Sequence, residues 1–315
     1  MKNIVDAVTY HEERLSAENI GDLITLHAAV YRRILPLDFF QRKYDTAYTG
    51  VSYIGFIAYN DRQPIAFYGV IPCLMSCNKR VTLSAQSADT MTHPDYRKKG
   101  LFVKLAEQTF ELCRETGIHI IFGFPNQNSL PGFVQQLNWQ INETMDCFII
   151  PVKTIPLERI SVKFPVLKAW YSGYQQRVLK KYATHQQADI SSVLSDGYDG
   201  LLRNTRYLDY KKYTNTQLIV ICGAVFWIKI NNGLLIGDAN VRADNFAQAM
   251  PALIKLAGRL GLKQIQFHTS SGTKLHTLFA ARYPSIPSFP VIVKILGGSL
   301  PVDQIKFTFA DIDIF

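Results

Sequence analysis

Within the fourteen residues Asp89–Phe102, DTMTHPDYRKKGLF, the chain places two carboxylates, an imidazole and three adjacent cations. Arg97, Lys98 and Lys99 lead into Gly100. From Leu101 onward the apolar residues Phe102, Leu105, Ala106, Phe110 and Cys113 recur at helical spacing, with Gly117 as the stop. The chemistry this pattern suits is anion binding. The first N–H groups of a helix have no intrahelical partner, and its dipole favours negative charge there. Gly100 lets the backbone come close to a ligand, and the three cations add attraction. A solvated basic turn in front of an ordinary helix would carry the same letters. The ATP-type GxxxxGK[ST] loop and the dinucleotide GxGxxG turn are both absent. For proton transfer the candidates here are Asp89 and His93. Aspartate is depleted in strands, so Asp89 needs a reason to stand on one. His93 precedes a proline at the strand exit and reads as a turn residue or a proton relay. Further on, Phe307–Phe315 (FTFADIDIF) alternates apolar and acidic residues as a strand does, so Asp311 and Asp313 are expected on one face, either solvated or turned to a site. No Ser/His/Asp set, HExxH or metal-ligand cluster competes for the catalytic role.

These residues need elements to hold them. Val81 to Thr92 reads as a strand feeding the cationic turn. Val51–Tyr59 and Pro64–Ser76 are β-branched and aromatic runs joined by Asn60-Asp61-Arg62-Gln63, a hairpin pattern, and Cys77-Asn78-Lys79-Arg80 turns into the Val81 strand. Upstream, Asn3–Tyr10 reads as a first strand. A helix capped by Ser16 and running to about Arg33 follows, then a second from Pro36 to Tyr44. Downstream come a buried strand, Ile118–Phe124, a short helix, Ser129–Leu137, and a strand near Ile141–Ile150. With 315 residues, 48% apolar and 19% charged, the composition is globular rather than disordered. The formal charge of +9 suits an anionic ligand or surface. No recognition-helix, zinc-finger or RNP-type pattern accompanies it, so nucleic acid has little beyond the charge to favour it. The five cysteines, Cys73, Cys77, Cys113, Cys147 and Cys222, form no CxxC pair and read as reduced, mostly buried thiols. The N-terminus has no apolar signal core. The longest apolar run, Leu218–Ile230, carries Lys229 and is too short to span a bilayer. A cytoplasmic location is the resulting expectation.

The turn and its flanks resemble motif A of the GNAT acyltransferases, [R/Q]-x-x-G-x-[G/A], with Arg97 and Gly100 at its first and fourth positions and Phe102 replacing the last small residue. PNQNSLPGFVQQLNW resembles their motif B: Asn126 and Ser129 match its front, Asn138-Trp139 stands for Gly-Phe, and Val134 occupies the place of a tyrosine. The resemblance covers about Asn3–Ile150. It implies a mixed α/β fold with a largely antiparallel sheet and flanking helices, and acetyl-CoA or a close acyl-CoA as cosubstrate, with no metal. The pyrophosphate would sit on Arg97, Lys98, Lys99, Gly100, Leu101 and Phe102. Backbone groups near Met91 and Thr92 would serve pantetheine and the acyl carbonyl, with Asn126 and Ser129 nearby. It also implies a small amine or amino sugar as acceptor, bordered by loops that carry Tyr31, Phe39 and Tyr44. Asp89 would face the acceptor as base. The tyrosine usually credited with protonating the thiolate is missing. In some tandem relatives a C-terminal acid reaches the first unit's site, which keeps Asp311 and Asp313 in view.

From Pro151 to about Lys212 the pattern turns helical and basic, with Tyr171–Tyr182 the clearest helix. After it, Leu218–Ile230, Leu234–Asn240, a helix from Asp244 to Arg259 kinked or restarted at Pro251, strand Gln264–Thr269, helix Thr273–Ala281 and strand Val291–Leu296 repeat the order of Pro64–Ile150. The expected organisation is a GNAT domain at 1–150, a helical connector at 151–212 and a degenerate GNAT-like unit at 213–315. That last unit's Val241-Arg242-Ala243-Asp244 turn lacks the CoA motif; an unrelated α+β domain is the alternative. N-acetyl transfer is the expected activity. A Fem-type aminoacyl transferase and a non-catalytic acyl-CoA sensor stand beside it.

Overall fold

In the computed structural model, residues 10–184, 190–298 and 300–315 are described. The first half runs β1 (His11–Arg14), α1 (Asp22–Tyr31), α2 (Leu37–Tyr44), β2 (Ile54–Asn60), β3 (Gln63–Cys77), β4 (Arg80–Thr92), α3 (Leu101–Glu115), β5 (Ile120–Gly123) and β6 (Gln140–Pro151), with a π-turn at Gly132–Gln136 before β6. A helical stretch follows: α4 (Leu157–Lys163), α5 (Pro165–Leu179), α6 (Ser192–Ser195), the two-residue strand β7 (Gly200–Leu201) and α7 (Thr205–Lys211). The second half is β8 (Gln217–Ile221), β9 (Ala224–Ile230), β10 (Leu234–Asn240), α8 (Ala243–Arg259), β11 (Gln264–Thr269), α9 (Lys274–Ala280) and β12 (Ser285–Ile295).

The strands form one sheet in the order β1-β2-β3-β4-β5-β12-β6-β11-β10-β9-β8, with β7 paired to β3. Only β4 with β5 and β10 with β11 run parallel among the paired strands, each pair linked by a crossover helix, α3 or α8. Leaving β1 aside, the order reads the same from either end. Each half's last strand crosses over: β6 pairs with β11 of the second half, and β12 pairs with β5 of the first. The sheet therefore has no break at the expected boundaries near 150 and 213.

Period-two alternation on β3 explains the layers. Ala66, Tyr68 and Val70 point to α3, which buries Leu101, Leu105, Ala106 and Phe110 on them, while Phe67 and Ile71 point to α1 and α2 on the opposite face. In the second half α8 buries Phe246, Ala249, Met250, Leu253, Leu256 and Ala257, at spacings of three and four, against β9–β11.

Several local expectations are revised. The first strand expected at Asn3–Tyr10 falls almost wholly outside the described residues; the first described strand begins at His11. Ser16 caps a turn instead of a helix, its Oγ accepting from Glu18 and Asn19, and α1 starts at Asp22. The apolar run Leu218–Ile230 is a hairpin, folded back at Cys222 and Gly223, both at positive φ (49° and 73°). α8 continues through Pro251. The Phe307–Phe315 segment is no strand: a 3-10 turn at Phe309–Asp311 buries Phe309, Ile312 and Phe315 together, three residues apart. Asp311 and Asp313 consequently do not share a face.

Candidate active site

β4 and β5 are hydrogen-bonded only from Ser84 to Gln86 against Ile120 to Phe122. Beyond that they part, and a cleft opens between Ser87–Thr90 on one side and Gly123–Asn126 on the other. Ser129, Phe133, Ile292, Tyr31 and Asp313 complete its lining. On the side facing away from β3, the edge of β4 past Gln86 meets no strand among the described residues. Backbone groups there are open to a ligand.

A β-bulge shapes the same strand. Ala88 pairs with Gly69 and Met91 with Phe67, so Asp89 and Thr90 stand opposite Tyr68 alone. Asp89 takes the left-handed conformation (φ 51°), which aspartate tolerates better than most residues. Its carboxylate accepts from Tyr44 Oη at 3.0 Å and lies 2.6 Å from Lys43 Nζ. Lys43 is buried, and its ammonium also reaches Asp313 at 2.8 Å. Two carboxylates thus share one ammonium at the cleft wall. Burial works against the Lys43 ammonium, but Asp313 and Asp89 overcome it and raise its pKa above the ordinary value. Burial likewise opposes the Asp313 carboxylate. Lys43 and its hydrogen bond outweigh that and hold its pKa below the usual range. Tyr31, whose Oη lies 3.5 Å from Thr90 O, has its pKa raised by burial and then by Asp89.

Asp313 gets there because the tail is gripped from α7 and β9. Lys211 donates to Ile312 O at 3.1 Å and Lys229 to Ile314 O at 2.8 Å, and the side chain between them faces the other way, with Gln86 Nε2 3.3 Å from its Oδ1. Asp311 sits apart from the cleft. It is buried and bonded through both carboxylate oxygens to Arg203, whose guanidinium also pairs with Asp238 and donates to Thr308 Oγ1.

Where β4 leads on to α3, Gly100 has φ 75° and a Cβ there would meet nothing within 4 Å. The N–H groups of Leu101, Phe102 and Val103 precede the first intrahelical bond, Lys104 N to Gly100 O, and find no acceptor among the described residues. Arg97 and Lys98 are exposed; Lys99 donates to Tyr10 Oη and lies over the Tyr96 ring. Phe102 turns its ring onto Phe133 and Gly132, where a Cβ would come within 3.2 Å of it, so a large residue is accommodated by a missing one opposite. Asn126 and Ser129 line the cleft but bond chiefly to each other's turn: Asn126 Oδ1 accepts from the N–H of Asn128 and Ser129. Met91 buries its side chain in the core, leaving its backbone and that of Thr92 at the edge. His93 caps the turn, accepting from Asp95 N, and does not line the cleft. Val134 presents no hydroxyl; Phe133 is the π-turn residue at the cleft. Lys43 escaped sequence reasoning because Gln41-Arg42-Lys43 reads as a solvated helix face. Its signal would have been the helix stripe that buries Phe40, Lys43 and Tyr44 together. No group of three or more potential metal ligands occurs among the described residues, and no described helix is long and apolar enough to cross a membrane.

The splayed parallel pair, the bulge and the open helix N-terminus sit in a mixed α/β fold of the GNAT type. Residues 13–142 match the acetyltransferase (GNAT) domain family. No curated protein matches it. Among solved structures it resembles a GCN5-related N-acetyltransferase from Kribbella flavida (TM-score 0.58, 11% identity, 91% of this chain and 71% of that one). It also resembles one from Anabaena variabilis ATCC 29413 (TM-score 0.57, 14% identity, 92% and 73%). A third likeness is to a fungal multi-domain β-N-acetylglucosaminidase carrying a GCN5-related glucosamine N-acetyltransferase region (TM-score 0.53, 11% identity, 92% of this chain and 38% of that one). At such identities these likenesses speak for the fold alone.

Proposed function

We propose that this chain moves an acetyl group from acetyl-CoA to the amine of a small molecule or amino sugar, by direct attack on the thioester. The observation that carries the reading is the polarity along β4, with free N–H groups and cations where the strand leads on to α3 and two carboxylates on a single ammonium at Asp89. An anionic cofactor suits the first and a cationic acceptor the second. The pyrophosphate would rest on the N–H groups from Lys98 to Val103, with the pantetheine along the β4 edge near Met91 and Thr92. The Asp89–Lys43–Asp313 group carries a net charge of −1, so it attracts an ammonium. It can then take the proton that must leave before nitrogen attacks, directly or through water. The new C–N bond forms as the C–S bond breaks, and the thiolate, of ordinary pKa about 8.5, leaves without needing an acid. Alignment in the cleft supplies most of the acceleration. We read the two halves as GNAT-like units that have exchanged their last strands, with one CoA site, in the first.

The test is CoA release measured against a panel of amines and amino sugars. Asp89→Asn should lower kcat/KM by on the order of 10²-fold at neutral pH, with partial rescue as pH rises, while CoA affinity stays near that of the wild type. CoA binding without release for any amine would instead make the chain an acyl-CoA sensor, the reading that Val134 favours.

A further inference from the structure

A second surface, remote from the cleft, carries its own chemistry. α4 and α5 stack as a helical hairpin whose root is fixed: Tyr171 Oη donates to Leu260 O at 2.8 Å and Tyr174 Oη to Arg259 O at 2.7 Å. Past that root the hairpin end stands clear of the body. Every side chain described from Val162 to Trp170 is exposed. Five of them are large and apolar: Val162 (75% exposed), Phe164 (58%), Val166 (87%), Leu167 (39%) and Trp170 (59%). Burying such groups is worth much more than leaving them in water, and a contiguous exposed set marks an interaction site. The hairpin is also cationic. Residues 151–182 hold Lys153, Arg159, Lys163, Lys168, Arg177, Lys180 and Lys181, all exposed, against the single acid Glu158. That is a net +6 in a stretch of the chain whose whole formal charge is +9.

We infer that the α4–α5 hairpin is a docking element for an anionic lipid bilayer. Aliphatic and aromatic side chains at the end enter the acyl boundary, Trp170 sits at the headgroup level, and the flanking lysines and arginines meet the lipid phosphates. Charge decides between occupants. A second copy of this chain would bring the same cations against themselves, whereas an anionic bilayer complements both the charge and the aliphatic end. The two most exposed of the set, Val162 and Val166, offer nothing for a nucleic-acid base to stack on. This inference does not depend on the proposed acetyl transfer.

Trp170 makes the test direct, because the other two tryptophans, Trp139 and Trp227, are buried. The full chain is mixed with vesicles of phosphatidylcholine containing about 30 mol% phosphatidylserine, and with pure phosphatidylcholine as control. Sedimentation with the anionic vesicles is expected, weakened at about 0.5 M salt, together with a blue shift of Trp170 emission that brominated lipid quenches. Phe164→Asp should reduce partitioning by at least tenfold. Lys163→Glu with Lys168→Glu, which leaves the apolar end intact, should reduce it by about 25-fold or more, since each cation at such a surface contributes about fivefold. Both changes lie on exposed residues and should leave CoA release in solution unchanged. Partitioning with unaltered Trp170 emission would overturn the inference, as would equal binding to neutral vesicles or none at all. Self-association without vesicles that Phe164→Asp abolishes would reassign the hairpin to a contact between copies.

Discussion

Replacing Lys43 with methionine keeps the side chain's length and removes the one charge that Asp89 and Asp313 share. Each carboxylate lies within 2.8 Å of Lys43 Nζ. Their nearest oxygens are therefore within about 5.5 Å of each other, and at an effective dielectric of about 20 the repulsion is roughly 3 kcal/mol, or about two pKa units. In the wild type, Lys43 holds Asp313 below its ordinary pKa in spite of burial. That contribution to stability is present above the unfolded carboxyl value of about 4 and is lost as pH falls through the depressed folded value. In Lys43→Met one carboxyl of the pair is raised above its unfolded value instead. Its contribution is then kept in acid and lost as pH rises. The deficit of the variant should widen from about pH 4 upward and reach about 3–5 kcal/mol near neutrality, the usual cost of breaking a buried pair. Thermal unfolding of both proteins across that range reads it as a growing gap in Tm. CoA release should show the acid limb of kcat/KM moved up by about two units. A constant Tm gap together with an unmoved acid limb would refute the claim that the Lys43 ammonium holds Asp313 below its ordinary pKa.

Gly100→Asp places a side chain at φ 75° and a negative charge where the cofactor's phosphates belong, so titration calorimetry should find CoA binding abolished, against one CoA per wild-type chain. Arg203→Met leaves Asp238 and Asp311 buried with no counter-charge; unfolding in urea should show a loss of about 3–5 kcal/mol, and Asp311→Asn made in addition should recover part of it. Lys211 has its pKa lowered to about 7, chiefly by burial and against the pull of Asp313. Its ordinary value in the unfolded chain is about 10.5, so the wild type should gain stability as pH rises from about 7 to about 10.5, and Lys211→Met should remove that slope and raise Tm at neutral pH.

What could be read from the sequence was local. Helical spacing after Gly100 and the strand–turn–helix order around it are written in consecutive residues, and α3 begins at Leu101 as the turn predicts. β11 occupies the expected Gln264–Thr269 for the same reason. The hairpin inside Leu218–Ile230 was hidden because its turn is Cys222-Gly223, in which an apolar-looking residue holds the left-handed position that asparagine usually fills. FTFADIDIF has two periods at once, and the three-residue spacing of Phe309, Ile312 and Phe315 prevailed because a buried site was available for all three. The contacts that bring Asp313 to Lys43 span 270 residues of chain, and no local pattern records them. Nor could spacing disclose that β6 and β12 trade places, since either pairing buries the same faces.

The traded strands bear on how the chain can be made. Ile120–Gly123 is synthesised long before Ser285–Ile295, its partner in the sheet. Until that partner emerges, β5 offers an unpaired edge, the feature most prone to sticking to another nascent chain. The early half is thus an unfinished template on the ribosome, and its completion waits for the late half. Cut into two polypeptides, the halves would be expected to recombine by mutual strand donation, because each holds the piece the other lacks. The order from β2 to β8, which reads the same both ways, is also the pattern that two identical chains would make by exchanging their last strands.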